Sequence, residues 1–242
     1  MNGFRRTFGS GRGDGGEGEG THWLSVSDLM AGLMVIFLFL AIAYMQEVRR
    51  DRDQMTEIAQ TYQETKSRIY QALLDEFADD LTRWDAGVDS VRLAFEFRSP
   101  EVLFEQGQSA IRPRFEEILA DFFPRYVATV EPYRAAIDEV RIEGHTSSDW
   151  TGVDDEARAY FLNMELSQGR TQSVLSYAHD LPGVGGKRDW IRSTFAAVGF
   201  SSSRPVLDAG GEEDTERSRR VTFRIITNAE RQIQRILARE DG

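Results

Sequence analysis

The residue whose type and setting most directly imply chemistry is Asp28, a carboxylate inside an apolar run. It is the only charged residue between Trp23 and Met45, and Leu29–Met45 carry no charge. A charge at bilayer depth costs about 2.5 kcal/mol or more, so it is seldom there without a function. Burial raises the pKa of a carboxyl group, which suits a residue that takes up and releases an ion. Two other readings stand beside that one. Asp28 lies near the start of the run, where it can stay hydrated at the interface, or it caps a helix that begins at Leu29. The capped helix would retain about 17 residues for the crossing, the lower limit of a span. Ser25 and Ser27 keep both readings open, and their oxygens would assist if the ion were sodium rather than a proton.

The element that must hold Asp28 is a membrane helix over residues 22–46. Trp23–Met45 in helical form measure about 35 Å, against a hydrocarbon core of about 30 Å. A cleaved signal peptide is disfavoured. The run starts after a polar, Gly-rich segment, is longer than an h-region, and ends in Tyr44-Met45-Gln46-Glu47 rather than in small residues. Trp23 and Tyr44 stand at its ends, where interfacial aromatics are expected. Arg5, Arg6 and Arg12 precede it and Arg49, Arg50 and Arg52 follow it, so the distribution of basic residues does not set the orientation.

Residues 1–21 are expected to be a disordered tail. Residues 47–87 read as a helical stalk or linker, free of Gly and Pro up to Asp85. Met55, Ile58, Tyr62, Thr65, Ile69 and Ala72 recur at coiled-coil spacing, which reads equally as a dimer seam or as a single solvated helix. A globular domain over 88–228 follows, with a helical tail at 229–242. Within the domain, Val91–Phe97 alternates as a strand, and Phe104–Val130 is a helical stretch beginning after a turn at Ser99-Pro100. Glu139–Ser148 is a second strand running into a polar loop. Asp154–Leu181 is a long helix stopped at Pro182-Gly183, and Ser193–Phe200 and Arg219–Thr227 are two further strands. The pattern predicts an α/β (α+β) sandwich behind one transmembrane helix.

The chain has 242 residues and a net charge of -11, which argues against nucleic acid as a direct partner. Absence of cysteine excludes disulfides and thiolate metal sites. The three histidines, His22, His145 and His179, are too far apart in sequence to suggest a metal cluster. No cofactor is expected, and the chain is read as a channel or motor subunit rather than an enzyme.

Two sets of motifs carry a family resemblance. Trp23, Ser25 and Asp28-Leu29-Met30 resemble the membrane helix of flagellar stator B subunits (MotB-like), in which the Asp carries the ion. Ala31 and Gly32 follow, small enough for a partner helix to approach. Gly144–Ser148 (GHTSS), Asn163–Val174 (NMELSQGRTQSV) and Arg217–Ile225 (RSRRVTFRI) resemble the OmpA-type peptidoglycan-binding domain, as does the upstream VLFEQGQSAIRP. The family's ligand is the meso-diaminopimelate of a stem peptide. The resemblance therefore implies peptidoglycan-binding roles for Thr146, Ser147, Asn163, Leu166 and Arg170, with Arg220 a weaker candidate. A guanidinium at Arg170 suits the ligand's carboxylate through two parallel hydrogen bonds. Asn163 and Leu166 share its helix face. Plain core packing is at least as good a reading of Leu166, and a surface ion pair with Glu165 or Asp149 is the alternative for Arg170. Ser147 stands where the family has an Asp for the ligand's ammonium, which implies weaker binding or a different stem peptide. Asp149 is near enough in sequence to substitute if the loop is shifted. His145 is read as support for the loop.

Together these pieces imply a B subunit of an ion-driven stator-like motor. The family's architecture puts a dimer of this chain inside a pentamer of MotA-like subunits. The wall-binding domain would then be periplasmic, the N-terminus cytoplasmic and the helix a single pass in a bacterial inner membrane. The tail and the segment SDLMAGLMVIFLFLAIAYM resemble the Zorya anti-phage branch, whose A subunit is ZorA, more than the flagellar branch. A flagellar stator B subunit and a passive OmpA-like wall tether are the alternatives.

Overall fold

The computed structural model describes residues 18–98 and 103–228, with side chains from Ser27 onward. The expected tail at 1–21 (through residue 17), the C-terminal helix at 229–242, the turn at Ser99-Pro100 and the side chains of Trp23 and Ser25 lie outside the described residues. The chain divides into two compact units, Met1–Gln54 and Met55–Gly242.

In the first unit the described residues form one helix. It belongs to α1, which spans Gly18–Leu81 without a break. Its apolar side chains from Leu29 to Val48 are exposed on every side, and the segment is long and apolar enough to cross a membrane. Asp28 is ten residues inside this helix, since the helix begins at Gly18. That removes the N-cap reading, because a capping residue must sit outside the first turn to reach unpaired N–H groups.

The second unit begins with the remainder of α1 and builds a five-stranded sheet. Strands β1 (Ala86–Asp89) and β2 (Ala94–Phe97) form a hairpin, and α2 (Pro113–Val130) follows. Then come β3 (Ile137–His145), the long α3 (Glu156–Asp180), α4 (Arg188–Thr194), β4 (Phe195–Gly199), the short α5 (Thr215–Ser218) and β5 (Arg220–Thr227). The strand order is β1-β2-β5-β3-β4. Only β3 and β4 are parallel, and α3 supplies the crossover that a parallel pair needs.

The strand expected over Val91–Phe97 starts later. Asp89 Oδ1 accepts the N–H groups of Val91 (2.7 Å) and Arg92 (2.9 Å), and Leu93 has φ +54, so residues 90–93 are the turn of the hairpin. Leu93, Phe95 and Phe97 are buried as the alternation predicts, but Val91 projects from the turn and is 78% exposed. β1 (AGVD) went unseen because Gly and Asp are poor strand formers. The helix expected from Phe104 begins only at Pro113, which occupies its first turn. Residues before it turn at Gly107 (φ +69) and pair through a Phe104–Ile111 bridge.

The core is largely aromatic. Phe122 of α2 has ring neighbours Phe95 at 4.6 Å, Phe97 and Phe223 at 5.0 Å and Phe77 at 5.2 Å. Phe77 belongs to α1, and Ile69 and Leu73 of the same helix are also fully buried. The stalk expected over 47–87 therefore gives one face to the core from Ile69 onward, and Ile69, one of the residues at coiled-coil spacing, packs inside its own domain rather than in a seam or in solvent. Arg125 on α2 fastens this part of α1. It donates to Glu76 (2.7 Å), Asp80 (2.8 Å) and Asp121 (3.2 Å) and lies 4.8 Å from the Phe77 ring. Burial works against its charge, yet these three carboxylates hold the guanidinium above its usual range.

Candidate binding cavity

The GHT segment ends β3, and close packing brings α3 onto it. A Cβ on Gly144 would stand 2.7 Å from the Ser167 carbonyl oxygen, and one on Gly199 would stand 2.5 Å from the Gln168 nitrogen. These two glycines face each other across the β3–β4 pair. Any side chain there would push the helix away, so glycine sets the depth of the site. Asp155 caps α3 by accepting the Arg158 N–H at 2.8 Å.

Between the end of β3, α3 and the loop before α2 lies a cavity of about 760 Å3. Thr146 and Ser147 line it from the strand end, and Asn163, Leu166 and Arg170 line it from the helix. Five of the six residues implied for peptidoglycan thus converge. The sixth, Arg220, does not line this cavity but a smaller one. Its backbone neighbour Arg219 lines the larger cavity instead, with Arg112 a third guanidinium there. The sequence implies Arg220 for this role, and the structure places Arg219 in the larger cavity instead.

Arg170 is held firmly. Its Nε donates to the Gln108 carbonyl at 2.9 Å and its Nη2 to the Glu105 carbonyl at 3.3 Å, while the guanidinium lies 4.9 Å from the Phe104 ring centre. Neither Glu165 nor Asp149 pairs with it, so the surface ion-pair reading does not hold among the described residues. The acceptors are neutral, so the charge of Arg170 is left unbalanced. Burial, and then the charge of Arg219, push its pKa down to about 10, which still leaves it cationic at neutral pH.

The loop after β3 is fixed from three sides. Thr146 N donates to the Ser201 carbonyl at 3.0 Å, and Asn163 Nδ2 donates to the Asp149 carbonyl at 3.3 Å. Glu213 accepts the Ser148 N–H at 3.2 Å and its hydroxyl. This leaves Asp149 and Trp150 in the lining. The buried Thr146 hydroxyl has no hydrogen-bond partner among the described residues, an arrangement that a polar ligand would complete. Among the described residues the lining sets three arginines against one aspartate, within an acidic chain. Such a cavity suits an anionic ligand with a polar, peptide-like body.

His145 supports the loop from behind. It is buried, stacks on Phe200 with ring centres 5.3 Å apart, and stands 3.5 Å from Glu143. Burial pushes its pKa down to about 4, with Glu143 opposing and Arg220 and Arg204 reinforcing the shift. The same surroundings act oppositely on Glu143. Burial would raise its pKa, but His145, Arg224 and Arg204 hold it below its usual value. Arg112, Trp150, Thr215 and Arg219 were not foreseen as cavity residues, because they come from loops and a short helix with no periodic pattern.

No family model matches the chain. It is 51% identical, over 219 residues covering 90% of this chain and 93% of the relative, to the Zorya protein ZorB of Escherichia coli strain Crooks. Among solved structures, it is similar to a MotB-like protein from Desulfovibrio vulgaris, with 21% identity and a TM-score of 0.49 over 71% of this chain and 94% of that one. It is also similar to the cell wall anchor of the T6SS from Pseudomonas aeruginosa, with 22% identity and a TM-score of 0.44 over 64% and 96%.

Proposed function

Since this chain belongs to the ZorB family, we propose that it is the wall-anchored B subunit of a stator-like, ion-driven motor in a bacterial inner membrane, serving Zorya-type anti-phage defence. Its partners in this reading are a ZorA-type (MotA-like) membrane subunit, five copies around a dimer of this chain, and peptidoglycan. The helix crosses once, with a cytoplasmic N-terminus and a periplasmic domain. The 51% identity to a Zorya protein favours this branch over a flagellar stator.

The observation that carries the anchoring half is Arg170, cationic and held by two carbonyls and the Phe104 ring in a cavity that Thr146, Ser147, Asn163 and Leu166 also line. There it would take the carboxylate of the stem peptide's diaminopimelate, while Thr146 and Ser147 offer hydroxyls to the peptide. The ion-carrying half is supported by Asp28, a side chain exposed on a helix whose neighbours Leu29, Met30, Leu33 and Met34 are all exposed and apolar. A carboxylate there is costly while charged. Protonation, or binding of sodium, neutralises it, lets a ring of A subunits step past, and is followed by release to the cytoplasmic side.

The test uses the full-length chain in detergent, sedimented with purified peptidoglycan. Losing a charge-assisted contact at Arg170→Ala should weaken binding by about tenfold or more. Unchanged binding would overturn the anchoring half. In cells carrying the A subunit, Asp28→Asn should leave membrane insertion intact and abolish phage protection. Retained protection would mark the chain as a passive tether.

A further inference from the structure

A second cavity, of about 230 Å3, opens between the β1–β2 hairpin and the start of β5. Its described lining sets four guanidiniums, Arg92, Arg98, Arg217 and Arg220, against two carboxylates, Asp89 and Glu96. Arg220 forms its buried part, at 3% exposure. Its Nη1 donates to the Ser218 carbonyl at 2.9 Å and its Nη2 to the Arg204 carbonyl at 3.3 Å. Carbonyls satisfy the hydrogens of a guanidinium without balancing its charge. Burial therefore pulls its pKa below the usual value, and the through-space attraction of Glu96 is offset by the neighbouring Arg92.

The carboxylates do not neutralise the cluster. Asp89 Oδ1 is engaged by the N–H groups of Val91 and Arg92 in the hairpin turn. Glu96, Arg92 and Arg98 form no side-chain ion pair among the described residues, and Arg217 reaches only Asp214, at 3.9 Å. The lining thus carries two positive charges in excess (four minus two) on a chain of net charge -11. We propose that this cavity is a binding site for an oxyanion, a phosphate or carboxylate group, seated on Arg220 and held by Arg92, Arg98 and Arg217. The volume admits a single small oxyanion and excludes a folded peptide. Guanidinium forks match the oxygen spacing of both anion types.

The site's position gives it a consequence for the larger cavity. Thr215 and Arg219 line that cavity, while Arg217 and Arg220 of the same segment line this one. An anion on Arg217 and Arg220 would brace the wall that presents Arg219 to the wall-peptide site.

The test is calorimetric titration of the full-length chain in detergent with inorganic phosphate and, separately, with succinate, at an ionic strength held constant with chloride. Saturable binding of either anion is expected, and the stronger of the two arms identifies which oxyanion the site takes. The double substitution Arg92→Ala/Arg217→Ala removes exposed rim groups only, and it should weaken binding by about tenfold or more. Arg170→Ala, in the other cavity, should bind these anions as the wild type does. Absence of saturable binding, indifference to the double substitution, or loss of binding in Arg170→Ala would each overturn the proposal.

Discussion

The two ends of α1 use similar side chains in opposite ways. From Leu29 to Val48 large apolar residues point in every direction and stay exposed, Leu29 at 72% and Phe39 at 68%. From Ile69 to Phe77 the apolar residues gather on one face, with Ile69, Leu73 and Phe77 fully buried and Tyr70 and Leu74 half-buried beside them. Charged residues such as Glu76 and Asp79 occupy the rest of the circumference. A helix apolar all round calls for lipid or other helices as its surroundings, whereas a striped helix calls for a protein core. The number of apolar residues in a helix is therefore a weaker guide to its surroundings than their distribution around the axis.

Paired substitutions test this contrast. Phe77→Ala should destabilise the second unit by about 3–5 kcal/mol, since it empties the centre of the aromatic cluster. Phe37→Ala, the same chemical change in the exposed stretch, should alter that unfolding transition by less than about 0.5 kcal/mol. Chemical denaturation of the full chain in detergent, followed by near-ultraviolet circular dichroism, measures both. Similar effects from the two substitutions would end the distinction.

The buried polar cluster behind the sheet gives the next largest effect. His145 has its pKa lowered from 6.5 to about 4 in the folded chain, where it faces Glu143, Arg220 and Arg204. Above pH 6.5 it is neutral in both folded and unfolded chains and contributes no pH dependence. Between 6.5 and 4 only the unfolded chain takes up the proton, so stability falls as the pH drops, by about 2 kcal/mol at pH 5. Below pH 4 the folded chain binds the proton too, and the loss levels off. Denaturation midpoints at pH 7 and pH 5 should therefore differ less in His145→Gln than in the wild type. An equal difference in both proteins would show that this histidine does not titrate as described.

Arg125→Met should cost less than Phe77→Ala, about 1–2 kcal/mol. It removes hydrogen bonds to the partly exposed Glu76 and Asp121 and to the buried Asp80, which stays paired with Arg83. Thermal melts of the full chain report it. A loss as large as that of Phe77→Ala would mean that the ion pairs rather than the rings fasten α1 to the domain.

Much of the molecule is legible in the sequence. A long uncharged run announces a membrane helix because its signal is compositional. The later strands are legible as short runs rich in Val, Ile, Phe and Thr, and α3 as a long stretch stopped at Pro182-Gly183. Arg170, Asn163 and Leu166 were readable as one face because helical offsets of three, four and seven are local geometry. The β1–β2 hairpin was hidden because its turn rests on one carboxylate and a positive φ at Leu93, inside a stretch that alternates like a single strand.

Residue type and local spacing identify the groups able to do chemistry: a carboxylate in an apolar helix, and a guanidinium on the same helix face as Asn163. These depend on residue type and on short-range periodicity, both of which are written along the chain. Only the tertiary structure decided that Asp28 is inside its helix rather than capping it, that Ile69 belongs to a core rather than to a seam, and that Arg219 and Arg220 face two different cavities. Each of those outcomes depends on where a helix starts, what packs beside it, or where a strand begins, and such facts are set by contacts between residues distant in sequence.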